Sequence, residues 1–397
     1  MTPAAAGSVA EIQGLYGAFS FPEKLLQKIW LRGEFDSARA STVDGRPVHV
    51  LHPGKWNLLG GPDFLGARLR IGDREVGGDV EVHLRAADWD AHGHAGDRAY
   101  DHVVLHVVLF PPEDARATRG ARGGIPVLAL LPLLHHDLEE YAAEAAVEVL
   151  ANRPAVRIVE ALGTLPVEQL RTLLREHARS RWRQKVHFAR LRVQRLGWEA
   201  ACHQSALEIL GYRFNRAPML RVASRWPLAT WGRGEVEAGN AYADERWSLQ
   251  GVRPANHPRA RLAQYARWAR GRPHWPDVLR AAVSTWPAIE PAATTRDARR
   301  THALTKARAK IAEEVCGGAV GGTRLDTLIC DAWLPLAAAG AGLNLEGLWF
   351  HWFPGDLPVA VTDGLRQLQV CDGRTQPVCQ GFAQGLLGWL IEQEKSA

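Results

Sequence analysis

Residues 60–108 read GGPDFLGARLRIGDREVGGDVEVHLRAADWDAHGHAGDRAYDHVVLHVV, and this stretch decides the fold expected for the first part of the chain. Two segments, 67–71 and 79–84, alternate apolar with polar residues, which predicts two short strands. Side chains on a strand point to alternate faces, so Glu81 and His83 should share one face. Asp63 lies 18 positions before Glu81, which is enough for a strand, a turn and a return strand.

The acidic residues of this stretch predict a divalent-metal site. Asp63, Glu81 and Asp79 would hold Mg²⁺ or Mn²⁺, because hard cations take oxygen ligands. Such a cation activates water and offsets charge on a phosphate, and His83 would position or deprotonate the attacking water. The hypothesis is phosphodiester hydrolysis with His83, Asp63 and Glu81 as catalytic residues. The alternative is a solvated strand face beside a Pro-Asp turn.

A polar loop follows these strands and contains a second group of titratable residues. His92, His94 and Asp88 are the auxiliary candidates, since histidines aimed at Asp63 and Glu81 would bind the scissile phosphate. The His-Gly-His sequence also suits zinc in an enzyme of another class, although the spacing matches no closed structural zinc site. A polar loop without a ligand is the remaining alternative. His106, farther along, is expected to be a satisfied core histidine.

Charge is distributed unevenly along the chain. The formal net charge is −7 for residues 1–150, +18 for residues 151–310 and −6 for residues 311–397. A basic middle segment favours a polyanionic partner, and nucleic acid is the natural one. Arginine-rich composition on a solvated surface is the alternative. The candidate nucleic-acid-binding residues are Arg179, Arg183, Lys185, Arg190, Arg253 and Arg261.

The fold class expected is α+β, with a change of pattern near residue 135. A helix opened by Pro22 and about five strands predict an α/β domain over residues 15–135. Residues 136–310 predict a basic helical domain, including a long helix from 166 to 195 and a second helix from Trp198 to Leu210. Residues 311–397 predict a C-terminal helical segment that packs on the rest.

Composition excludes several classes of protein. No run of about 18 apolar residues occurs, so no membrane span is expected. Five cysteines without a dense framework, and no signal-peptide pattern at the N-terminus, predict buried thiols and a cytoplasmic location. Neither a GxSxG elbow nor a phosphate-binding loop is present. The oligomeric state is left open.

The motif around the two strands resembles the PD-(D/E)xK (restriction-endonuclease-like) nuclease superfamily. Pro62-Asp63 corresponds to the first half of its pattern and Glu81-Val82-His83 to the second, with histidine where lysine is usual. The preceding helix and strand and the following strand are in the order expected of that fold. The resemblance implies a Mg²⁺- or Mn²⁺-dependent nuclease in which His83 takes the role of the lysine.

A second resemblance covers nearly the whole chain. The blocks VHVLHPGKWNLLGGPDF, GGDVEVHLRAADWDAHGHAGDRAYDHVVLHVV, GYRFNRAP and GVRPANHPRARLAQYARW resemble the bacterial family called domain of unknown function 2851. That family brings no activity with it, so function depends on the residues themselves. A metal-dependent nuclease or nucleic-acid-processing protein is the first hypothesis. A non-catalytic nucleic-acid-binding or scaffold protein on a degenerate nuclease fold is the second.

Overall fold

The computed structural model describes residues 9–14, 17–112, 118–120, 123–136, 138, 140–142, 145, 155–249, 252–290 and 293–396. The chain divides into two compact units, Met1–Ala145 and Ala146–Ala397. Strands are found in the first unit and helices fill the second, so the predicted α+β class is confirmed. The predicted division of the helical part at residue 310 stays a prediction. The sequence pattern of residues 138–151 also predicts a helix, and most of these residues lie outside the described ranges.

A mixed sheet forms the centre of the first unit. The strands described in this unit are β1 (Val9–Gly14), β2 (Gly17–Pro22), β3 (Val48–His52), β4 (Lys55–Trp56), β5 (Phe64–Ile71), β6 (Arg74–His83), β7 (Val103–Val108), β8 (Thr118–Gly120), β9 (Gly123–Ile125) and β10 (Val127–Ala129). The strand order of the mixed sheet is β10-β7-β6-β5-β3, with the short β4 also paired to β5. Strand β5 is antiparallel to β3, β4 and β6, whereas β6, β7 and β10 are parallel.

The predicted alternation in β6 is observed, but both faces of its second half are buried. Val80 and Val82 are at most 1% exposed, and Glu81 and His83 are at most 5% exposed. A strand covered on both faces is central to its sheet, so the two polar side chains are held in the interior instead of on a solvated face. Register shifts lie between Phe64 and Ala67 against β6 and between Asp79 and Val80 against β7.

Gly78 allows β7 to approach β6 at this irregularity. A Cβ atom on Gly78 would lie 2.5 Å from the carbonyl oxygen of His102 and would overlap the Val104 side chain. Glycine is therefore required for space, and no positive φ is involved.

The helix Glu23–Arg32 buries one face in the core of the first unit. Leu25, Leu26, Ile29 and Trp30 are buried at helical spacing. They belong to one apolar cluster with sheet residues such as Leu105. Burial of each large side chain contributes about 1.5–3 kcal/mol. Three further short elements lie between β6 and β7, namely the helix Asp88–Ala91 and the 3-10 turns His94–Gly96 and Arg98–Tyr100.

The second unit is built from helices of very different length. They are Ala155–Leu162, Val167–Leu196, Trp198–Leu210, Tyr212–Arg225, Leu228–Gly232, Ala238–Ala243, Pro258–Gly271, Trp275–Val283, Thr295–Thr301, Leu304–Glu314, Gly322–Leu328, Leu334–Ala341, Glu346–His351, Val359–Gln367 and Gln380–Ser396, with a π-helical turn at Ile329–Trp333.

The long helix Val167–Leu196 packs against the last helix, Gln380–Ser396. At Gly385 a Cβ atom would overlap the carbonyl of Leu174, so the two backbones touch here. Arg181 Nε donates to Gln384 Oε1 at 2.7 Å across the same contact. Trp182 lies 5.3 Å, between ring centroids, from Trp349. The C-terminal helical segment therefore packs on the preceding helices of its own unit.

Gly211 is a C-cap signal that predicts the end of the helix Trp198–Leu210, and the helix does end there, with Gly211 as its C-cap and the next helix starting at Tyr212. The φ of Gly211 is −66°, so the reason for glycine is space, since a Cβ atom would overlap the Asn215 carbonyl. The sequence pattern predicts a single helix over residues 296–315, and this prediction is wrong, because the helix is broken at Ala303, whose φ is +48°.

The five cysteines are buried free thiols, as predicted. No helix among the described residues is long and apolar enough to cross a membrane.

The core of the first unit gives a direct stability test. Leu105 is fully buried on the central strand β7, whereas Leu58 is 77% exposed in a loop. We expect Leu105→Ala to lower the free energy of unfolding by about 3 kcal/mol, because it removes apolar contact and leaves a cavity. Urea denaturation measures this value. Leu58→Ala is the matched control and should change stability by less than about 0.5 kcal/mol; an equal loss in both variants would contradict the described core.

Candidate functional site

Asp63 and Glu81 meet at the junction of β5 and β6. The Asp63 backbone N–H donates to Glu81 Oε2 at 3.0 Å, and the Val82 N–H donates to Asp63 Oδ2 at 3.1 Å. The backbone at Asp63 thus fixes the Glu81 carboxylate, and the backbone next to Glu81 fixes the Asp63 carboxylate. The two acids predicted from the sequence are brought together, facing one another.

The helix Glu23–Arg32 supplies two further side chains to these acids. Gln27 Nε2 donates to Asp63 Oδ1 at 2.7 Å, and Gln27 Oε1 accepts from Trp56 Nε1 at 3.3 Å. Glu23, one turn earlier on the same face, has a buried Oε1 with no hydrogen-bond partner among the described residues. Neither Glu23 nor Gln27 was predicted as a site residue.

Burial and mutual repulsion make these carboxyl groups weak acids. Burial, opposed by the Gln27 hydrogen bond, raises the pKa of Asp63 to about 6. Burial, followed by the negative charge of Asp63, raises the pKa of Glu81 to about 9. The pKa of Glu23 rises to about 7, chiefly through burial and then through Asp63 and Asp88. Asp63 therefore ionises first, and the others lose their protons against its charge.

His83 is held between two other histidines. Its Nδ1 lies 2.9 Å from His106 Nε2, and its Nε2 lies 3.1 Å from His92 Nδ1. His106 Nδ1 in turn lies 2.7 Å from the hydroxyl of Thr118. His106 is a fully buried, hydrogen-bonded core histidine as expected, and it also fixes the ring of His83.

Burial keeps the imidazoles of His83 and His106 neutral. It lowers the pKa of His83 to about 2, with His106, His92 and His94 adding to the effect. It also lowers the pKa of His106 to about 3, with a smaller contribution from His94.

The loop after β6 is anchored by Trp89, which is 1% exposed. Its ring contacts His94 and His106 with centroid separations of 5.4 and 5.3 Å. His94 also stacks on Tyr100 at 3.8 Å. These contacts place His94 Nε2 at 3.4 Å from Glu81 Oε1, and His83 Nε2 lies 3.3 Å from the same oxygen.

The other two predicted acids have local partners. Asp79 Oδ1 accepts from the Gly66 N–H at 3.0 Å, within the hairpin formed by β5 and β6. Among the described residues, the Asp79 side chain makes no contact with Asp63 or Glu81. Asp88 Oδ2 accepts from the Arg85 N–H at 2.8 Å, so it closes the turn that begins the loop.

One ring nitrogen from each of His83, His92 and His94 lies within 4.8 Å of the others. The centre thus offers two kinds of metal ligand, namely carboxylate oxygens at Asp63, Glu81 and Glu23 and imidazole nitrogens at the loop. The first kind suits Mg²⁺ or Mn²⁺ and the second suits transition ions.

Three of the predicted nucleic-acid-binding residues have partners within the helical unit. Arg179 Nε lies 3.0 Å from Glu346 Oε1, and Lys185 Nζ lies 2.9 Å from Asp331 Oδ1. Arg261 donates to Asn256 Oδ1 at 2.6 Å, so Asn256 holds this arginine instead of capping the following helix.

The remaining three are exposed: Arg183, Arg190 and Arg253. Their side chains make no hydrogen bond or ion pair with other described residues. Arg183 and Arg190 are seven residues apart on the long helix and therefore share one face of it.

This fold and site define a mixed α+β protein with a buried centre of carboxylates and histidines. A sequence model of the family described as protein of unknown function (DUF2851) matches residues 23–243, which is more than half of the chain. The chain belongs to this family. No curated protein and no solved structure matches it.

The raised pKa of Glu81 predicts a pH-dependent stability. With divalent cations removed by a chelator, the folded protein holds this proton up to a pKa of about 9, whereas an unfolded glutamate releases it near the model value of 4.5. The stabilisation is complete below about pH 4.5 and is lost as the pH rises toward 9.

Urea denaturation of wild type and Glu81→Gln between pH 5 and 8 should therefore show the variant gaining stability relative to wild type as the pH rises. Asp73→Asn, at an exposed position in the β5–β6 turn, is the control and should follow wild type. Parallel curves for wild type and Glu81→Gln would contradict the burial of this acid.

Proposed function

We propose that the chain is a metal-dependent nuclease that hydrolyses phosphodiester bonds. The observation that carries the proposal is the meeting of Asp63 and Glu81, whose carboxylates are fixed by N–H donors at 3.1 and 3.0 Å. Two carboxylates converging from neighbouring strands supply the oxygen ligands that a hard divalent cation needs.

The arrangement of the elements supports the resemblance to the PD-(D/E)xK superfamily. The helix Glu23–Arg32 precedes an antiparallel hairpin whose first strand follows Asp63 and whose second strand carries Glu81 and His83. Strand β7 then returns parallel to β6. This is the order of helix, strands and acidic residues that the resemblance implies.

The donor set fits Mg²⁺ or Mn²⁺. Glu23 Oε1 is buried without a hydrogen-bond partner among the described residues, beside two other carboxylates. Three acids in one interior repel one another, and a bound cation would offset that repulsion. Such a cation, when bound, polarises the phosphate and lowers the pKa of a coordinated water.

The protein's own residues would orient the attacking water beside the cation. His83 stands where the superfamily has lysine, and its ring is fixed because His106 lies 2.9 Å from Nδ1. Its Nε2 faces Glu81 Oε1 at 3.3 Å, so it lies beside the carboxylate that would hold the cation. A neutral imidazole there would position the attacking water by accepting a hydrogen bond from it.

A cleavage assay with Mg²⁺ or Mn²⁺ on single- and double-stranded DNA and RNA tests the proposal. We expect Asp63→Asn and Glu81→Gln to lower the cleavage rate by at least about 100-fold, because each removes several kcal/mol of charge stabilisation at the cation. Asp73→Asn changes an exposed acid of the same hairpin and should keep wild-type activity.

Cleavage that persists in folded Asp63→Asn and Glu81→Gln would show that another protein or another site is responsible. Nucleic-acid binding by wild type without cleavage under any of these conditions would favour the non-catalytic scaffold instead.

The scaffold alternative has its own supporting observation. Arg183 and Arg190 are exposed on one face of the long helix, free of ion pairs with other described residues. Exposed arginine side chains without ion pairs are able to contact the phosphates of a nucleic acid whatever its base sequence. Such binding requires no chemistry at Asp63 and Glu81.

We expect a double variant, Arg183→Ala with Arg190→Ala, to make the salt dependence of duplex binding shallower by about 1.8 in the slope of log K against log salt, as for two lost phosphate contacts. Fluorescence anisotropy at several salt concentrations measures this slope. The matched control is Arg179→Ala with Lys185→Ala, whose charges are paired with Glu346 and Asp331 and should affect the slope less. Equal slopes for wild type and the first variant would exclude this helix face as a binding surface.

A further inference from the structure

His83 at the end of β6 and His94 in the following loop both approach the oxygen of Glu81 that does not accept from Asp63, and His92 lies next to His83. Glu81 Oε2 accepts from the Asp63 N–H, which leaves Oε1 directed at His83 and His94. The distances are 3.3 Å to His83 Nε2 and 3.4 Å to His94 Nε2. His92 Nδ1 lies 3.1 Å from His83 Nε2.

These separations match those of ligands around a single tetrahedral ion. Donors about 2.0–2.1 Å from a zinc ion at tetrahedral angles lie about 3.3–3.4 Å from one another. The three measured pairs span 3.1–3.4 Å, and the three ring nitrogens lie within 4.8 Å of each other. The three ring nitrogens therefore lie close enough together to share one ion, and Glu81 Oε1 lies beside two of the three histidines.

The chemistry of the donors selects the kind of ion. Three imidazole nitrogens and one carboxylate oxygen suit a transition ion such as Zn²⁺, whereas Mg²⁺ prefers oxygen ligands and keeps several waters. The set differs from the Asp63–Glu81 pair, because the contact with Asp63 is made by the other oxygen of Glu81, Oε2.

A hydrogen-bonded partner fixes the ring of His83 in the orientation that a ligand requires. If His106 donates from Nδ1 to Thr118 Oγ1, its Nε2 accepts from His83 Nδ1, and the lone pair of His83 then lies on Nε2. That nitrogen is the one next to Glu81 Oε1. Metal-bound histidines commonly carry such a partner on the other ring nitrogen.

His94 provides an independent observation. Its Nε2 is buried and has no hydrogen-bond partner among the described residues, although it lies 3.4 Å from Glu81 Oε1. Stacking on Tyr100 and the edge contact with Trp89 hold the ring in this position. A buried nitrogen without a hydrogen bond is costly unless it has another ligand.

We propose that Glu81, His83, His92 and His94 form a binding site for one divalent transition-metal ion, with Zn²⁺ as the ion that the donors fit best. The site goes beyond the proposed nuclease activity and does not require it, although it shares Glu81 and His83 with the proposed nuclease centre. An ion bound at His83 Nε2 would occupy the lone pair that the nuclease proposal directs at the attacking water. The competing explanation is a chain of hydrogen-bonded imidazoles that needs no metal.

Metal binding by the full chain tests the proposal. Protein stripped with a chelator is titrated with Co²⁺, whose visible absorption reports four-coordinate nitrogen and oxygen ligands, and Zn²⁺ is then added to displace it. We expect one equivalent of Co²⁺ to bind and to be displaced. His92→Ala and His94→Ala should each weaken binding by at least about 10–100-fold, and Thr118→Val should weaken it less, through the orientation of His83.

The matched control is His102→Ala, which removes an exposed histidine next to β7. It should bind Co²⁺ as wild type does. His92 is also exposed, so His92→Ala should fold, and circular dichroism checks this.

Absence of saturable Co²⁺ and Zn²⁺ binding in folded wild type would overturn the site and favour the hydrogen-bonded imidazole chain. Undiminished binding in both His92→Ala and His94→Ala would overturn it as well. Zn²⁺ binding without any nucleic-acid cleavage would keep this site and exclude the nuclease. Cleavage that depends on Asp63, without any Zn²⁺ binding, would exclude this site and keep the nuclease.

Discussion

The crossed hydrogen bonds between Asp63 and Glu81 are the constraint on which the first unit's centre depends. Each carboxylate accepts an N–H from the segment that carries the other, at 3.0 and 3.1 Å. A slip of one residue between β5 and β6 would turn Glu81 and His83 to the opposite face and put Val80 and Val82 in their place. The register shift near Phe64 and the glycine at position 78 are therefore parts of the same arrangement, since both adjust how β6 meets its neighbours.

The parallel pairing of β6 with β7 explains why the histidines are found where they are. Parallel neighbours need a long connection, and residues 84–102 make it. The connection starts at the end of β6, directly after His83, and has to run back along the sheet to the start of β7. Trp89 fastens it to the interior, and His92 and His94 consequently return to the side chain of Glu81.

The sequence was sufficient for the residues whose placement follows from local periodicity. Strand alternation predicted that Glu81 and His83 share a face, and helical spacing predicted the helix Trp198–Leu210 to the residue. It was insufficient where placement depends on how elements pack. Glu23 and Gln27 are four apart on one helix face, but only the docking of that helix on the sheet brings them to Asp63. His106 reaches His83 through the parallel register of β6 with β7, which no local pattern specifies.

The contact between the long helix and the last helix bears on how the protein is best divided for laboratory work. The family match ends at residue 243, yet the helix Val167–Leu196 lies inside that range while its partner Gln380–Ser396 lies outside it. A fragment cut at the end of the match would leave Leu174 and Trp182 facing water and would lose the Gly385 backbone contact. Such a fragment would expose an apolar stripe that promotes aggregation. A truncated form of this protein that is to stay in solution should therefore keep its final helix.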